Sequence, residues 1–217
     1  MIIGIYGTGG TAKDVYDIVI RQKQYEKVIF IDDMKEAGTF RECEMYPFHE
    51  IPRYYNPQNM RIVITAGEPP IRKKLYDKVK MQGYTLASVI HENADISKTA
   101  LTGEGLIAFK DTIIRADVRL DENILLEPSV MVAHDVCIGK HTVLSCRAAI
   151  GGYAYIGESV YIALASAVRD RIKIGDKTII GMGSIVVKDL PEKVVAFGCP
   201  ACIIRKNEGE KIFKSKC

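Results

Sequence analysis

Hydrophobic residues in the second half of the chain recur at every sixth position. Stepping by six from Ile96 to Val186 meets Ile, Leu or Val at fourteen of sixteen positions, with no insertion or deletion. The position four residues further on holds only small, β-branched or aliphatic residues. An amphipathic helix repeats its apolar face every three to four residues and a hairpin strand alternates, so neither fits this period. A six-residue period instead predicts a triangular parallel β-solenoid, in which three repeats make a coil of about 18 residues.

Glycine often follows the large aliphatic residue of this repeat. The positions are Gly139, Gly151, Gly157, Gly175 and Gly181. We expect these glycines to allow a sharp turn of the backbone at each corner of the coil.

The first ninety residues follow a different pattern, in which apolar strands alternate with amphipathic helices. Strands are predicted over 2–6, 28–31, 61–67 and 84–90, and helices over 11–21 and 70–81. Strand, helix and strand in succession are typical of a parallel sheet of Rossmann type. The segment 35–60, which holds three prolines, is predicted to be an irregular connection. The chain is therefore predicted to contain an α/β half-Rossmann domain over 1–91, a parallel β-helix over 92–204 and a basic tail over 205–217.

Composition and charge exclude several classes of protein. Hydrophobic residues make up 47% and charged residues 26% of the chain, which is far from the composition of disordered chains. The net charge of +3 arises in the last thirteen residues, so no concentrated basic face indicates nucleic-acid binding. No apolar run approaches the ~20 residues of a membrane span, and the N-terminus lacks the pattern of a signal peptide. We therefore expect a cytoplasmic protein whose six cysteines are free thiols.

The turn Gly7-Thr8-Gly9-Gly10 lies between the first predicted strand and the first predicted helix. Free backbone N–H groups and the positive helix end enable such a turn to bind phosphate. Ala12 stands where the dinucleotide fingerprint has its third glycine, and ninety residues build only half of a dinucleotide site. Asp32 and Asp33 follow the second strand, near where a ribose-binding acid falls. The pattern favours a single nucleotide or a nucleotide sugar, and a turn needed only for packing is the alternative.

Surface columns of the β-helix can be derived from the sequence, because residue n of one coil lies above residue n − 18. His134 lies near a corner with Ala116 beneath it and Gly152 above it, which predicts a notch beside the imidazole. The adjacent Asp135 could orient the imidazole, and backbone N–H groups near Gly152 could reach a carbonyl oxygen. A histidine with a purely structural role at the corner is the alternative.

Three further side chains in neighbouring repeats could carry chemistry, namely Cys137, His141 and Cys146. We expect His141 to occupy a solvated corner and both thiols to have packing roles.

These motifs together resemble a known family. The six-residue register with its Ile-Gly corners looks like the left-handed β-helix acyltransferases of the hexapeptide-repeat class. The resemblance is more specific when it includes the glycine turn, Ile71-Arg72-Lys73-Lys74, Val89-Ile90-His91 and Phe197-Gly198-Cys199-Pro200-Ala201. Up to about Arg205 the chain resembles the family of sialic acid O-acetyltransferases and UDP-4-amino-sugar N-acetyltransferases. This resemblance implies a left-handed β-helix, a homotrimer with active sites between protomers, and acetyl transfer from acetyl-CoA to a sugar amine or hydroxyl.

The resemblance also implies roles for particular residues. The catalytic histidine falls on His134, with Asp135 as the orienting acid and Gly152 near the thioester carbonyl. The residues expected to line the CoA site are Gly152, Ile162, Ala163 and Gly181. The residues expected to bind the nucleotide sugar are Gly7, Gly9, Gly10, Thr11, Asp32, Asp33 and Gly67. Thr11 departs from the family pattern, which has histidine directly after the glycine turn, so the sugar nucleotide or its binding mode can differ.

The leading prediction is direct, metal-independent transfer of acetyl from acetyl-CoA to the amine of a nucleotide-activated 4-amino sugar, with His134 as general base. A sugar O-acetyltransferase and a non-catalytic trimeric scaffold that binds a nucleotide sugar are the alternatives. A nicotinamide-dependent enzyme ranks last, because the chain has no second nucleotide-binding half.

Overall fold

The computed structural model describes residues 1–209 and 212. The chain forms two compact units. One comprises residues 1–67 and 71–89, and the other begins with residues 68–70 and continues from residue 90. The predicted fold class is confirmed, because an α/β unit is followed by the stacked parallel strands of a β-helix. None of the described helices is long and apolar enough to cross a membrane.

The first unit is built on a six-stranded sheet. Its strands are β1 (Ile2–Tyr6), β2 (Lys27–Ile31), β3 (Gly38–Phe40), β4 (Cys43–Tyr46), β5 (Met60–Ile64) and β6 (Thr85–Leu86). They lie in the order β3-β4-β2-β1-β5-β6, and every neighbouring pair is parallel except β3 with β4. Ile3, Ile29 and Ile62 in the three central strands have no exposed surface, as expected where both faces of a parallel sheet are covered.

Three helices and a 3₁₀ turn complete this part of the chain. They are α1 (Gly10–Gln22), α2 (Ile51–Tyr54), α3 (Pro69–Met81) and the turn Phe48–Glu50. Helix α1 buries Val15, Ile18 and Val19, which recur at the helical spacing seen in the sequence. Helix α3 begins with two prolines, which suit a first turn because its N–H groups have no partner within the helix.

Residues 35–60 are more regular than the sequence indicates. They form the β3–β4 hairpin, the 3₁₀ turn and α2, and β4 pairs in parallel with β2. Strands of three and four residues are too short to show an alternating pattern, and β4 is held by a pairing distant in sequence. The strand predicted over 84–90 is divided into β6 and a second short strand, β7 (Val89–Ile90).

Sixteen strands of two residues each follow. They are β8 (Asp95–Ile96), β9 (Leu101–Thr102), β10 (Ile107–Ala108), β11 (Ile113–Ile114), β12 (Arg119–Leu120), β13 (Leu125–Leu126), β14 (Met131–Val132), β15 (Cys137–Ile138), β16 (Val143–Leu144), β17 (Ala149–Ile150), β18 (Tyr155–Ile156), β19 (Tyr161–Ile162), β20 (Ala167–Val168), β21 (Lys173–Ile174), β22 (Ile179–Ile180) and β23 (Ile185–Val186). Ile114 pairs with Val132 and Val132 with Ile150, so each coil takes the predicted 18 residues.

The strands form three parallel faces. Face 1 contains β10, β13, β16, β19 and β22, face 2 contains β8, β11, β14, β17, β20 and β23, and face 3 contains β9, β12, β15, β18 and β21. The second residue of most strands points inward and is fully buried, as at Val132, Ile150 and Ile162. Ser and Thr are accepted in the interior because their hydroxyls bond to turn carbonyls. Thr142 Oγ1 donates to the Gly157 carbonyl at 2.9 Å and Ser166 Oγ to the Gly181 carbonyl at 2.8 Å.

The sharp turns do not occur at the glycines identified from the sequence. A left-handed residue recurs every six positions, at Gly105, Asp111, Asp117, Asn123, Ser129, Asp135, His141, Arg147, Tyr153, Ser159, Ala165, Arg171, Lys177 and Gly183. The expected role of the other glycines is therefore wrong. A Cβ at Gly151 would overlap the Asp170 nitrogen and lie 2.8 Å from the Arg169 carbonyl carbon, so glycines such as Gly139, Gly151 and Gly157 permit close approach of the next coil.

A hairpin follows the last coil. Strand β24 (Val194–Gly198) pairs in parallel with β22 and extends face 1, and β25 (Ala201–Lys206) pairs antiparallel with β24. The predicted boundary at residue 204 falls inside β25, because Arg205 and Lys206 pair with Val195 and Val194. Residues 210, 211 and 213–217 of the predicted basic tail lie outside the described residues. The cysteines of the described part are free thiols.

Candidate active site

His134 lies at the corner between β14 on face 2 and β15 on face 3. The next residue, Asp135, has a φ of 58°, and this left-handed conformation brings its carboxylate back to the imidazole. His134 Nδ1 lies 2.8 Å from Asp135 Oδ2. A carboxylate only accepts hydrogen bonds, so Nδ1 carries the proton and Nε2 of the neutral ring has a free lone pair. The side chains are 55% and 38% exposed, which leaves the pair open to a substrate.

Gly152 lies directly above this imidazole. A Cβ at position 152 would lie 3.0 Å from His134 Cε1 and 3.1 Å from Nε2, closer than ordinary packing allows. Only glycine therefore leaves the ring undisturbed. The Gly152 carbonyl accepts the Arg171 N–H at 2.8 Å, whereas its own N–H makes no hydrogen bond to any residue within 1–209 or to 212. The structure thus brings His134, Asp135 and Gly152 together.

Tyr153 also contacts the imidazole and was not identified from the sequence. Its ring centroid lies 5.1 Å from that of His134, and the two rings are nearly perpendicular at 87°. The guanidinium of Arg171 lies 4.5 Å from the centroid of the Tyr153 ring. The column rule could have found this contact, because Tyr153 lies one coil above Asp135 and Arg171 one coil above Tyr153.

A cavity of about 270 Å³ opens in the two coils that precede His134. It is lined by Asp95, Ser97, Ile114, Arg115 and Ala116. The Ala116 carbonyl accepts the Asp135 N–H at 3.0 Å, so this cavity borders the turn that carries the histidine.

His141 is not the solvated corner that the sequence indicates. Its side chain is 2% exposed, and His141 Nδ1 lies 3.0 Å from Asn123 Nδ2 in the preceding coil. The buried amide of Asn123 provides a polar partner within the fold, so the ring does not need water.

Cys137 and Cys146 are both half-buried free thiols. The Cys146 thiol donates to Glu127 Oε2 at 3.1 Å. Burial and the Glu127 carboxylate raise the pKa of Cys146 to about 11, which disfavours the nucleophilic thiolate. No group of three or more His, Cys, Asp or Glu side chains within the described ranges is arranged to hold a metal ion.

The residues expected to line a CoA site differ in what they expose. The Ile162 side chain is inside the β-helix, so contact through that side chain is excluded. Ala163 is half-buried and its N–H donates to the Ile180 carbonyl. Gly181 lies against the Phe197 ring, which a Cβ at position 181 would overlap. Phe197, 43% exposed, therefore presents the accessible apolar surface here.

In the first unit the glycine turn is at the carboxyl end of β1. Gly7 has a φ of 123°, and a Cβ there would lie 2.5 Å from Thr65 Oγ1, so this position requires glycine. A Cβ at Gly9 or Gly10 would meet no atom within 4 Å, which leaves this end of α1 open. The first turn of α1, which contains the half-buried Thr11, has no acidic residue.

Asp32 and Asp33 are placed in different surroundings. Asp32 Oδ2 accepts the Thr8 hydroxyl of the glycine turn, and Lys35 Nζ donates to Thr8 Oγ1 at 2.9 Å. Asp33 instead joins a partly exposed network, in which its carboxylate accepts hydrogen bonds from the Tyr6 hydroxyl at 2.5 Å and from Lys78 Nζ at 2.6 Å.

These partners change the acidity of Asp33. Burial alone would raise its pKa, but hydrogen bonds from Lys78, Tyr6 and the Phe48 N–H hold the pKa of Asp33 below its ordinary value. The folded protein therefore favours the charged carboxylate at Asp33, and the substrate-binding role of this residue stays a prediction.

Gly67 is in the half-buried loop after β5, the strand next to β1. The buried Arg72 guanidinium supports this loop by donating to the carbonyls of Ile64 and Ala66 at 2.7 and 3.0 Å. Burial lowers the pKa of Arg72 to about 9. Because β2, β1 and β5 are adjacent and parallel, their loops with Asp32, the glycine turn and Gly67 meet at one edge of the sheet.

Comparison with known proteins agrees with this architecture. Residues 2–79 match the family model of the PglD N-terminal domain. The acetyltransferase domain of PglB from Neisseria gonorrhoeae superposes with a TM-score of 0.89 at 22% identity, covering 94% of this chain and 99% of that one. Perosamine N-acetyltransferase from Caulobacter crescentus, solved as a histidine mutant in complex with CoA and GDP-perosamine, superposes with a TM-score of 0.87 at 27% identity. That match covers 94% of this chain and 96% of the other.

Curated relatives match a shorter region. A galactoside O-acetyltransferase of Lactococcus lactis is 39% identical over 61 residues, which is 28% of this chain and 29% of that protein. An acyl-[acyl-carrier-protein]–UDP-N-acetylglucosamine O-acyltransferase of Pseudomonas paraeruginosa is 29% identical over 99 residues, or 45% and 38% of the two chains. The chain thus spans about a third of the length of these curated relatives. The resemblance drawn from the motifs is confirmed: residues 2–79 match the PglD N-terminal domain model, and the β-helix that follows has the fold of these two acetyltransferases.

Proposed function

We propose that this protein transfers an acetyl group from acetyl-CoA to the amine of a nucleotide-linked amino sugar. The observation that carries the proposal is the open His134–Asp135 pair beneath Gly152. Support for the donor and the acceptor class comes from perosamine N-acetyltransferase, a protein of the same fold solved with CoA and GDP-perosamine.

The proton acceptor in this proposal is His134 Nε2. Asp135 Oδ2 accepts a hydrogen bond from the Nδ1–H of His134 at 2.8 Å. The proton therefore stays on Nδ1 and the lone pair on Nε2, the atom that faces the Gly152 side of the notch. Asp135 also stabilises the imidazolium once the proton has been taken up. A positioned general base of this kind contributes roughly 10²–10⁴ to the rate.

Transfer proceeds in one displacement. The amine nitrogen attacks the thioester carbon as Nε2 removes an amine proton, and the N–C bond forms with a negative charge on the carbonyl oxygen. The Gly152 N–H donates to that oxygen. Collapse breaks the C–S bond, the amide is released, and the proton on Nε2 passes to the departing CoA thiolate. No covalent intermediate with the protein is required, in accordance with the raised pKa of the Cys146 thiol.

Nucleotide-sugar binding is assigned to the first unit. The open glycine turn at the start of α1 offers N–H groups to a diphosphate, with Lys35 as a nearby cation. The cavity that borders the Asp135 turn offers a carboxylate, a hydroxyl and a guanidinium to the hydroxyl groups of an acceptor. A cytoplasmic location is also part of the proposal, because thiols such as those of Cys137 and Cys146 stay reduced in that compartment.

A homotrimer is part of the proposal. Its support is an apolar stripe on the outer surface of face 2, formed by one residue in each of five successive coils, namely Ile113, Met131, Ala149, Ala167 and Ile185. Met131 and Ile185 are each 41% exposed in the single chain. A stripe of this kind is typical of a surface that another protein covers.

Transfer to a sugar hydroxyl is the second candidate. Its support is the similarity to a galactoside O-acetyltransferase and to a UDP-N-acetylglucosamine O-acyltransferase. The same histidine would serve either acceptor, so the product distinguishes them. An amide survives mild base, whereas an ester is hydrolysed.

The test combines purified protein, acetyl-CoA and a panel of nucleotide-linked 4-amino and hydroxyl sugars, and measures thiol release together with the product mass. We expect transfer to an amino sugar, and a fall of at least ~10²-fold for His134→Ala. The matched control is His49→Ala, because the His49 side chain is 69% exposed and lies on the 3₁₀ turn of the first unit. Nucleotide-sugar binding without transfer to any acceptor would instead establish the non-catalytic scaffold. Full activity of His134→Ala would refute the assigned base.

A further inference from the structure

The geometry points to Tyr153 as a positioning residue that holds the His134 imidazole in its productive orientation, and to Arg171 as the residue that fixes Tyr153. This inference rests on the proposed function, because it concerns the histidine assigned as general base. Neither side chain is assigned a contact with the reacting atoms. Both act through the histidine.

Tyr153 occupies a position that does not favour tyrosine. Its φ of 60° is left-handed, a conformation that suits Gly, Asn and Asp and is unfavourable for other residues. The equivalent corner positions elsewhere in the β-helix hold mainly Asp, Asn, Ser, Arg, Lys or Gly. The Tyr153 side chain is also 50% exposed, so it adds little to the core. Neither backbone preference nor burial explains an aromatic ring here, whereas its contact with His134 does.

Without the Tyr153 ring, few contacts would fix the orientation of the His134 imidazole. His134 is half-exposed, and within the described part of the chain its side chain makes one hydrogen bond, from Nδ1 to Asp135, while the Gly152 backbone restricts the Cε1–Nε2 edge. A single hydrogen bond still permits the imidazole to swing about that contact. The perpendicular Tyr153 ring at 5.1 Å restricts this swing, because edge-to-face aromatic pairs have a preferred geometry.

Tyr153 needs a support of its own, since half of its surface faces solvent. The Arg171 guanidinium lies 4.5 Å from the ring centroid, within the range of a cation–π contact. Backbone hydrogen bonds link the same coils, from the Tyr153 N–H to the His134 carbonyl at 3.1 Å and from the Arg171 N–H to the Gly152 carbonyl at 2.8 Å. Arg171, Tyr153 and His134 therefore form one connected series from the upper coil to the proton acceptor.

The first test compares Tyr153→Leu with Tyr153→Phe in the acetyl-transfer assay. We expect Tyr153→Leu to lower kcat about tenfold while KM for acetyl-CoA stays within about twofold, and Tyr153→Phe to retain the activity because it keeps the ring. The matched control is Tyr155→Leu, which removes an equally exposed tyrosine from the outer surface of face 3. Unchanged kcat for Tyr153→Leu, or an equal loss for Tyr153→Phe, would overturn the inference.

The second test is a double-mutant cycle with Arg171→Ala. If Arg171 acts through Tyr153, we expect Arg171→Ala to lower kcat in the wild-type background and to have no further effect in the Tyr153→Leu background. Additive losses in the double variant would contradict the assignment of Arg171. Circular dichroism melting curves of all variants identify any loss caused by unfolding.

A third measurement does not depend on activity. The imidazole proton resonances of His134 can be identified by their loss in His134→Ala. The aromatic ring of Tyr153 should displace the chemical shifts of these protons. We expect this displacement to disappear in Tyr153→Leu and to remain in Tyr153→Phe. An inactive wild-type protein would refute the proposed function while this result still tested the contact. If the protein is active and the His134 chemical shifts do not change in Tyr153→Leu, the inference is refuted and the proposed function stands.

Discussion

At the scale of single residues, Asp32 and Asp33 show how far neighbouring side chains can differ in role. They are adjacent at the end of β2, and a ribose-binding acid was expected at either position. Asp32 faces the glycine turn through Thr8, whereas Asp33 is bound by Tyr6 and Lys78. These partners lie 27 and 45 residues away in the sequence. No local pattern could have distinguished the two carboxylates.

The Asp33 network predicts a pH-dependent stability. The pKa of Asp33 is lower in the folded protein than its ordinary value, so the folded state binds fewer protons at this site than the unfolded state. The contribution of the Asp33 carboxylate to the unfolding free energy is complete above about pH 5. It is lost as the pH falls below about 4 and through the lowered pKa of the folded state. We expect the difference in unfolding free energy between wild type and Asp33→Asn to shrink from pH 7 to pH 3 in urea titrations.

The control for that prediction is Asp77→Asn. Asp77 forms an ion pair with Lys73 one helical turn away and its side chain is 53% exposed, so its loss should have little effect at any pH. A wild-type to Asp33→Asn difference that stays constant over the whole range would contradict the role of this carboxylate.

The corner histidines show the same limit of local information. His134 and His141 lie in consecutive repeats, and the sequence indicated that both are exposed. His134 is open and pairs with Asp135, its neighbour in the chain, whereas His141 is buried beside Asn123 from another coil. The first contact was predictable because it is local. The second depends on which side chains the stacking of coils brings together.

At the scale of elements, the six-residue repeat is maintained by two kinds of position. Left-handed residues make the turns, and they include Asp, Asn, Ser, Lys and Arg as well as glycine. The close spacing between coils is instead permitted by glycines such as Gly139 and Gly151, where a side chain would collide with the backbone of the next coil. Glycine in this fold therefore serves close approach more often than conformational freedom.

Gly151→Ala is expected to destabilise the β-helix. The new methyl would overlap the backbone at Asp170, which cannot move without disturbing the coil above, and overpacking of this kind costs about 1–3 kcal/mol. The melting temperature measured at fixed protein concentration should fall accordingly. The control is Gly38→Ala on the edge strand β3, where no atom lies within 4 Å of the new methyl, and this variant should keep the wild-type melting temperature. Equal melting temperatures for the two variants would show that the backbone of the next coil can shift without loss of stability, which would contradict the prediction.

At the scale of the whole molecule, the apolar stripe on face 2 predicts the oligomeric state. We expect a mass of three times the 24.1 kDa chain by light scattering. Met131→Asp and Ile185→Asp should each reduce this mass and the acetyl-transfer activity together, because they place a charge within the stripe. Tyr155→Asp, on the exposed surface of face 3, is the control that should remain trimeric. A monomeric wild type would contradict the prediction.

The sequence by itself determined the two periods, the order of the two units and the position of the His134–Asp135 pair. These features can be predicted from the sequence because they arise from regular spacing along the chain. Each coil pairs with the next at a constant separation of 18 residues, and His134 contacts its own neighbour Asp135. Only the tertiary structure decided which groups bind the Asp33 carboxylate, that the His141 ring is buried beside Asn123 and that the Tyr153 ring meets the imidazole edge to face. Each of these depends on contacts between residues distant in sequence or on the direction of a side chain, and chain folding alone determines both.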